Sequence, residues 1–185
     1  MSSVVERLLL AHGASGTSAS MQPHVKALKR RGVSTTAIDL PKGSAERAVP
    51  VYRRLLQDSG PNTAIGGHSY GGRVASMLCA EDGVTTGLVL LSYPLHRPGH
   101  PDELKTDHWP RIACPVLLLS GESDPFARID LLRELMRTLR NAQLHTYPRV
   151  GHGLAPVLDD AMDRVAVFVK SLSGGGAAST RRRSG

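Results

Sequence analysis

From Thr63 to Leu78 the chain reads TAIGGHSYGGRVASML, and this stretch decides the fold. Its first half, Thr63 to His68, is a short apolar run whose length and β-branched content read as a strand. Its second half sets Val74, Met77 and Leu78 at helical spacing. Between the two lies Gly67-His68-Ser69-Tyr70-Gly71, a G-x-S-x-G placed where a strand must turn sharply into a helix. The flanking glycines leave the room that such a turn needs, and the serine hydroxyl is held out above the sheet edge. The same stretch is a poor phosphate cradle. It lacks the G-x-G-x-x-G register and the lysine of a P-loop, and His68 and Tyr70 would block close backbone approach.

Outward from this turn the pattern repeats. Val4 to Ala11, Ser34 to Leu40, Gly87 to Ser92, Val116 to Gly121 and Ala142 to Pro148 also read as strands. Helical spacing returns in Met21, Val25 and Leu28, in Leu132, Leu135, Met136 and Leu139, and in Leu158, Ala161, Val165, Phe168 and Leu172. Alternation of this kind predicts an α/β fold: a three-layer α/β/α sandwich around a mainly parallel sheet of about six strands. In such sheets the ligand sits beyond the carboxyl ends of the strands, so the residues just after each run carry the chemistry.

At 185 residues the chain fits one domain, expected over residues 1–172. Ser173 to Gly185, SGGGAASTRRRSG, reads as a flexible basic tail. The net charge is +7, and Arg181, Arg182 and Arg183 supply three of those charges. Lys29-Arg30-Arg31 falls where a helix should end, a position that favours cations without any partner. With aromatic residues at 4%, the composition gives little support to a binder that stacks single-stranded nucleic acid on aromatic platforms. No run approaches the roughly 20 apolar residues of a membrane span, and Glu6 and Arg7 interrupt the first apolar run. Cys79 and Cys114 lack C-x-x-C spacing and read as free buried thiols in a reducing compartment. The expectation is a cytoplasmic protein that binds neither nucleic acid nor membrane, with its oligomeric state open.

A serine hydroxyl needs a base to take its proton, and the base needs a third group to orient it. Two further strand ends supply them. Asp124 follows Val116 to Gly121, and His152, between Gly151 and Gly153, follows Ala142 to Pro148. Glu122 is an alternative carboxylate, and Asp124 also suits a helix cap. His68, on a strand whose sides alternate, reads as a packing residue rather than a second base. The order Ser69, Asp124, His152 is that of the α/β-hydrolase architecture.

The segments Gly67 to Gly71, Ser120 to Pro125 (SGESDP) and Gly151 to Gly153 resemble the nucleophile, acid and histidine segments of the α/β-hydrolase superfamily. The likeness spans roughly residues 4 to 172 and is nearest to the small capless dienelactone-hydrolase-like branch. It implies a sheet without the first two antiparallel strands of the full superfamily. Ser69 would be the nucleophile, His152 the general base and then acid, and Asp124 the group that fixes the imidazole. The oxyanion hole would pair the Tyr70 N–H with that of Ala14, or of Ser15, in the loop His12-Gly13-Ala14-Ser15-Gly16.

Only Tyr93 to Pro115 separates the fourth run from the fifth, too little for a cap domain. This segment is expected to wall an open cleft, with Tyr93, Leu95, His96 and Trp109 as substrate contacts, joined by His12 from the loop after the first run. His96, His100 and His108 in the same loop do not form a metal site on this reading, because Pro98 and Pro101 break the rigid spacing that ligands need. No cofactor is called for. The function expected is hydrolysis of small carboxylic esters or thioesters through an acyl-enzyme. The alternative is a catalytically silent protein-interaction module on the same fold.

Overall fold

The computed structural model describes residues 7–83 and 85–172. The tail expected from Ser173 onward, and the start of the first apolar run, lie outside the described residues. Six strands form one sheet: β1 (Arg7–Ala11), β2 (Ser34–Ile38), β3 (Thr63–His68), β4 (Leu88–Leu91), β5 (Val116–Gly121) and β6 (Ala142–Tyr147). They lie in the order β2-β1-β3-β4-β5-β6, and every pairing is parallel. The described residues hold five α-helices: α1 (Gln22–Arg30), α2 (Ala45–Ser59), α3 (Tyr70–Asp82) and α4 (Ile129–Leu135), each between two successive strands, and α5 (Leu158–Leu172), which follows β6.

Both faces of the sheet are covered, which is why LVLL in β4 and VLLLSG in β5 need no polar side. On one face Leu9, Ile65, Leu90 and Leu118 pack with α2, α3 and Leu132 of α4. On the other face Leu8, Leu10, Val89 and Leu119 pack with Leu28 of α1 and with Val165 and Val169 of α5. The result is the three-layer sandwich. Helix α2 escapes a simple reading of the sequence because Pro50 sits inside it. The helix forms nonetheless, since Ser44 caps Arg47 N–H at 3.2 Å, and Ala45, Ala48, Val49, Tyr52 and Leu56 bury one stripe.

Tyr52 ties that helix to the sheet centre. Its hydroxyl lies 2.9 Å from the Leu9 carbonyl and 2.7 Å from that of Gly66, and it accepts the Gly66 N–H at 3.0 Å. Burial pushes its phenol well above the usual range. Cys79 and Cys114 are free thiols, their sulfurs 3.8 Å apart. Among the described residues no helix is long and apolar enough to cross a membrane.

Between β4 and β5 there is no cap. Tyr93 to Pro115 holds one short 3₁₀ turn, Trp109–Arg111, and folds down onto the α3 face of the core.

Candidate active site

The turn from β3 into α3 is as tight as its glycines imply. Ser69 adopts φ 50° and ψ −113°, a left-handed conformation that costs a residue with a side chain about 1–3 kcal/mol. Its N–H bonds the Leu91 carbonyl at 2.8 Å, which fixes the turn to the neighbouring strand. A β-carbon on Gly67 would come within 2.5 Å of the Gly71 backbone, and one on Gly71 within 2.6 Å of the His12 carbonyl. The glycines thus let α3 start against both β3 and the loop after β1.

Three strand ends converge at this turn. His152 Nε2 lies 2.8 Å from Ser69 Oγ, and His152 Nδ1 lies 2.8 and 3.0 Å from the two oxygens of Asp124. The Asp124 side chain is fully enclosed, whereas that of His152 is 25% exposed. Asp124 also accepts the Phe126 N–H at 2.8 Å. The carboxylate accepts only, so His152 carries its proton on Nδ1 and turns an unprotonated Nε2 toward the serine hydroxyl. This arrangement can move a proton off Ser69 and hold the resulting cation. Glu122 is engaged elsewhere: it takes Thr146 Oγ1 at 2.6 Å and Arg133 at 3.0 Å.

His152 follows β6, yet it must reach past the ends of both β5 and β4 to meet the end of β3. It does so because Gly121, at the end of β5, has no side chain. The carbonyls of Val150 and Gly151 pass where a β-carbon on Gly121 would stand. The bonds Ser123 N–H to Val150 O and Glu122 N–H to Tyr147 O, both 2.9 Å, hold the crossing segment down.

Tyr70 opens α3, so its N–H precedes the helix's own hydrogen-bond ladder, and Ala14 lies in the β1–α1 loop. Neither N–H is spent on a protein acceptor among the described residues. Ala14 borders the same cleft as Ser69, a cavity of about 550 Å³ lined also by Met21, His24, Phe126, Leu154 and Leu158. The Phe126 ring packs against that of His152 at 4.3 Å between centroids. Burial pushes the His24 imidazole down to about 4, with nearby His68 adding to the effect, and it pushes His68 down as well.

The expected substrate contacts are not brought to this cleft, and here the sequence reading is corrected. Tyr93, Leu95 and Trp109 are wholly buried; the rings of Tyr93 and Trp109 meet edge to face at 5.1 Å, and the Tyr93 hydroxyl bonds the Lys105 carbonyl at 2.6 Å. His96 is buried, with Nδ1 donating to the Arg97 carbonyl at 2.8 Å and Nε2 accepting the Arg128 N–H at 3.1 Å. His12 is likewise consumed, by the Gly13 carbonyl at 2.7 Å and the Leu40 N–H at 3.1 Å. It shapes the β1–α1 loop from beneath. The physical reason is that the apolar side chains of Tyr93 to Pro115 find an uncovered stretch of α3 to bury against. The cleft wall comes instead from the β1–α1 connection and from Gly153 to Leu158, which sequence patterning does not distinguish from ordinary loops. Among the described residues no three His, Cys, Asp or Glu side chains come together as a metal would require. His108 bonds Ser76 at 2.8 Å and His100 faces Glu103 at 3.4 Å.

Residues 4–171 match the family described as the alpha/beta hydrolase domain. The chain belongs to the α/β-hydrolase family. Solved structures share the fold at low sequence identity. A monoacylglycerol lipase of Paleococcus ferrophilus superimposes with a TM-score of 0.79 at 16% identity, covering 90% of this chain and 94% of that one. Est1E of Butyrivibrio proteoclasticus, solved with ferulic acid bound, gives 0.74 at 16%, covering 91% and 89%. The esterase Pf2001 of Pyrococcus furiosus gives 0.75 at 17%, covering 90% and 81%. This α/β-hydrolase reaches that architecture with six parallel strands and no cap.

Proposed function

We propose that the protein is a serine hydrolase that cleaves small carboxylic esters or thioesters through an acyl-enzyme. The observation that carries the proposal is the continuous hydrogen-bonded chain from Ser69 Oγ through His152 to the enclosed Asp124. Ser69 Oγ attacks the acyl carbon while His152 Nε2 takes its proton. The oxyanion is met by the N–H groups of Tyr70 and Ala14, each worth about 3 kcal/mol in the transition state by analogy with such donors elsewhere. Collapse expels the alcohol or thiol, which takes the proton from His152. Water then attacks the acyl-Ser69 ester, with His152 as base again, and releases the acid and the free serine. Asp124 holds the imidazole tautomer and favours its cation throughout.

A cleft of about 550 Å³ that is open at its mouth suits a short acyl chain better than a long one. The esterases and the lipase of the same fold support ester chemistry, and the small capless form supports kinship with the dienelactone-hydrolase-like branch. Dienelactone hydrolases proper use a cysteine nucleophile, so Ser69 speaks against their particular reaction. The silent-module alternative gives no reason for serine, histidine and aspartate to meet at three strand ends. Turnover of p-nitrophenyl acetate and of a short acyl thioester, by the wild type and by Ser69→Ala, tests the reading. Release of product by the wild type alone supports it, and equal rates for both proteins contradict it.

A further inference from the structure

No side chain packs the main chain immediately on either side of His152. It lies between Gly151 and Gly153, and a β-carbon at either glycine would meet no atom within 4 Å, so neither neighbour has a side chain to pack. The bonds to Ser69 and Asp124 orient the ring, but they do not anchor the main chain of residue 152. One side chain does. His68 Nε2 lies 3.1 Å from the His152 carbonyl oxygen, 84 residues along the chain, with the two rings 5.4 Å apart. A carbonyl only accepts, so Nε2 of His68 bears the proton and donates.

His68 is itself rigid. It is the last residue of β3, in register with Leu91 of β4, and its ring is pressed against the loop after β1, where a β-carbon on Gly13 would come within 2.9 Å of His68 Nδ1. It also immediately precedes Ser69. One side chain therefore ties the strand that carries the nucleophile to the glycine-flanked loop that carries the base.

We propose that His68 is a positioning residue, whose Nε2–H holds the His152 main chain so that His152 Nε2 meets Ser69 Oγ. The inference rests on the reading of Ser69, His152 and Asp124 as a triad. A loop freed by about 1 Å lowers the rate of the chemical step by roughly a hundredfold and leaves ground-state binding nearly alone.

Two replacements separate the hydrogen bond from mere packing. His68→Phe keeps a flat ring and loses the donor. His68→Gln loses the ring and keeps an N–H near the position of Nε2. With p-nitrophenyl acetate, His68→Phe should lose about a hundredfold in kcat with KM little changed, while His68→Gln stays within about fivefold of the wild type. In proton NMR, the far-downfield signal of the His152 to Asp124 hydrogen bond should broaden or vanish in His68→Phe and persist in His68→Gln. Thermal melts establish folding, and His68→Asn, whose amide stops short of the carbonyl, replaces His68→Phe if that protein does not fold. Activity and signal that follow ring size, with Phe above Gln, overturn the proposal. The NMR arm needs no turnover. A wild type that cleaves no ester but shows the same spectral contrast upholds the positioning role and rejects the hydrolase reading instead.

Discussion

Ser69 Oγ and His152 Nε2 stand 2.8 Å apart, although 83 residues separate them in the chain. Neither is on a flexible tip: Ser69 is locked by the turn between β3 and α3, and His152 is carried across the end of β5. If the pair acts with Asp124 as one unit, Ser69→Ala and His152→Ala should each lower kcat by about a million-fold, and the double mutant should be little worse than either. Asp124→Asn should cost about ten-thousand-fold, because the imidazole then takes the wrong tautomer. Glu122→Gln, which loses only its bonds to Thr146 and Arg133, should stay close to wild type. Steady-state kinetics on p-nitrophenyl acetate checks all five variants. Additive losses in the double mutant would contradict the arrangement.

Gly121 is expected to be as sensitive as a side chain in the site, although it touches no substrate. Gly121→Ala would drive its β-carbon into the Val150 and Gly151 carbonyls, so either the crossing segment lifts or the end of β5 bends. The expected result is a fall in kcat of at least about a hundredfold together with a stability loss of about 1–3 kcal/mol. Urea unfolding and kinetics on the same preparation measure both. A fully stable, fully active Gly121→Ala would refute the crossing as described.

Much of this was legible in the sequence, and the legible part has a common cause. Buried parallel strands show as unbroken apolar runs, so five of the six strands start within one residue of the expected run, and the chemistry at their carboxyl ends follows from topology. The same reasoning points to Ser69, Asp124 and His152, which the fold brings within hydrogen-bonding distance of one another. Gly121 was not singled out, because a glycine ending a strand looks the same whether or not another segment crosses it. The loop from Tyr93 to Pro115 misled for a related reason: Tyr93, His96 and Trp109 are residue types common in binding sites, and only packing against α3 reveals them as core. His68 reads as packing from strand alternation, and its bond to the His152 carbonyl depends on a contact between distant segments that no local pattern encodes.

Acid should weaken the fold before it protonates most carboxylates. Burial pushes the imidazoles of His24 and His108 down to about 4, against 6.5 for an open side chain. Between those values the unfolded chain binds more protons than the folded one, so stability falls as pH drops from about 6.5 to about 4 and is fully present above that window. Both rings keep some solvent contact, which reduces the effect to on the order of 2–4 kcal/mol for the two together. Urea unfolding at pH 7, 5.5 and 4.5, compared with a His24→Gln, His108→Gln double mutant, checks this. The wild type should show the steeper decline, and parallel curves would contradict it.

The activation of Ser69 is the central claim, and it can be read without knowing the natural substrate. A fluorophosphonate reacts covalently with a serine only when a base takes its proton and an oxyanion site receives the developing charge. The measurement is labelling of the wild type, Ser69→Ala and His152→Ala with such a probe, followed by peptide mapping. The expected result is one labelled peptide containing Ser69 in the wild type, no label in Ser69→Ala, and labelling slowed by orders of magnitude in His152→Ala. A folded wild type that leaves Ser69 unlabelled, or a His152→Ala variant that labels as fast as the wild type, would contradict the account.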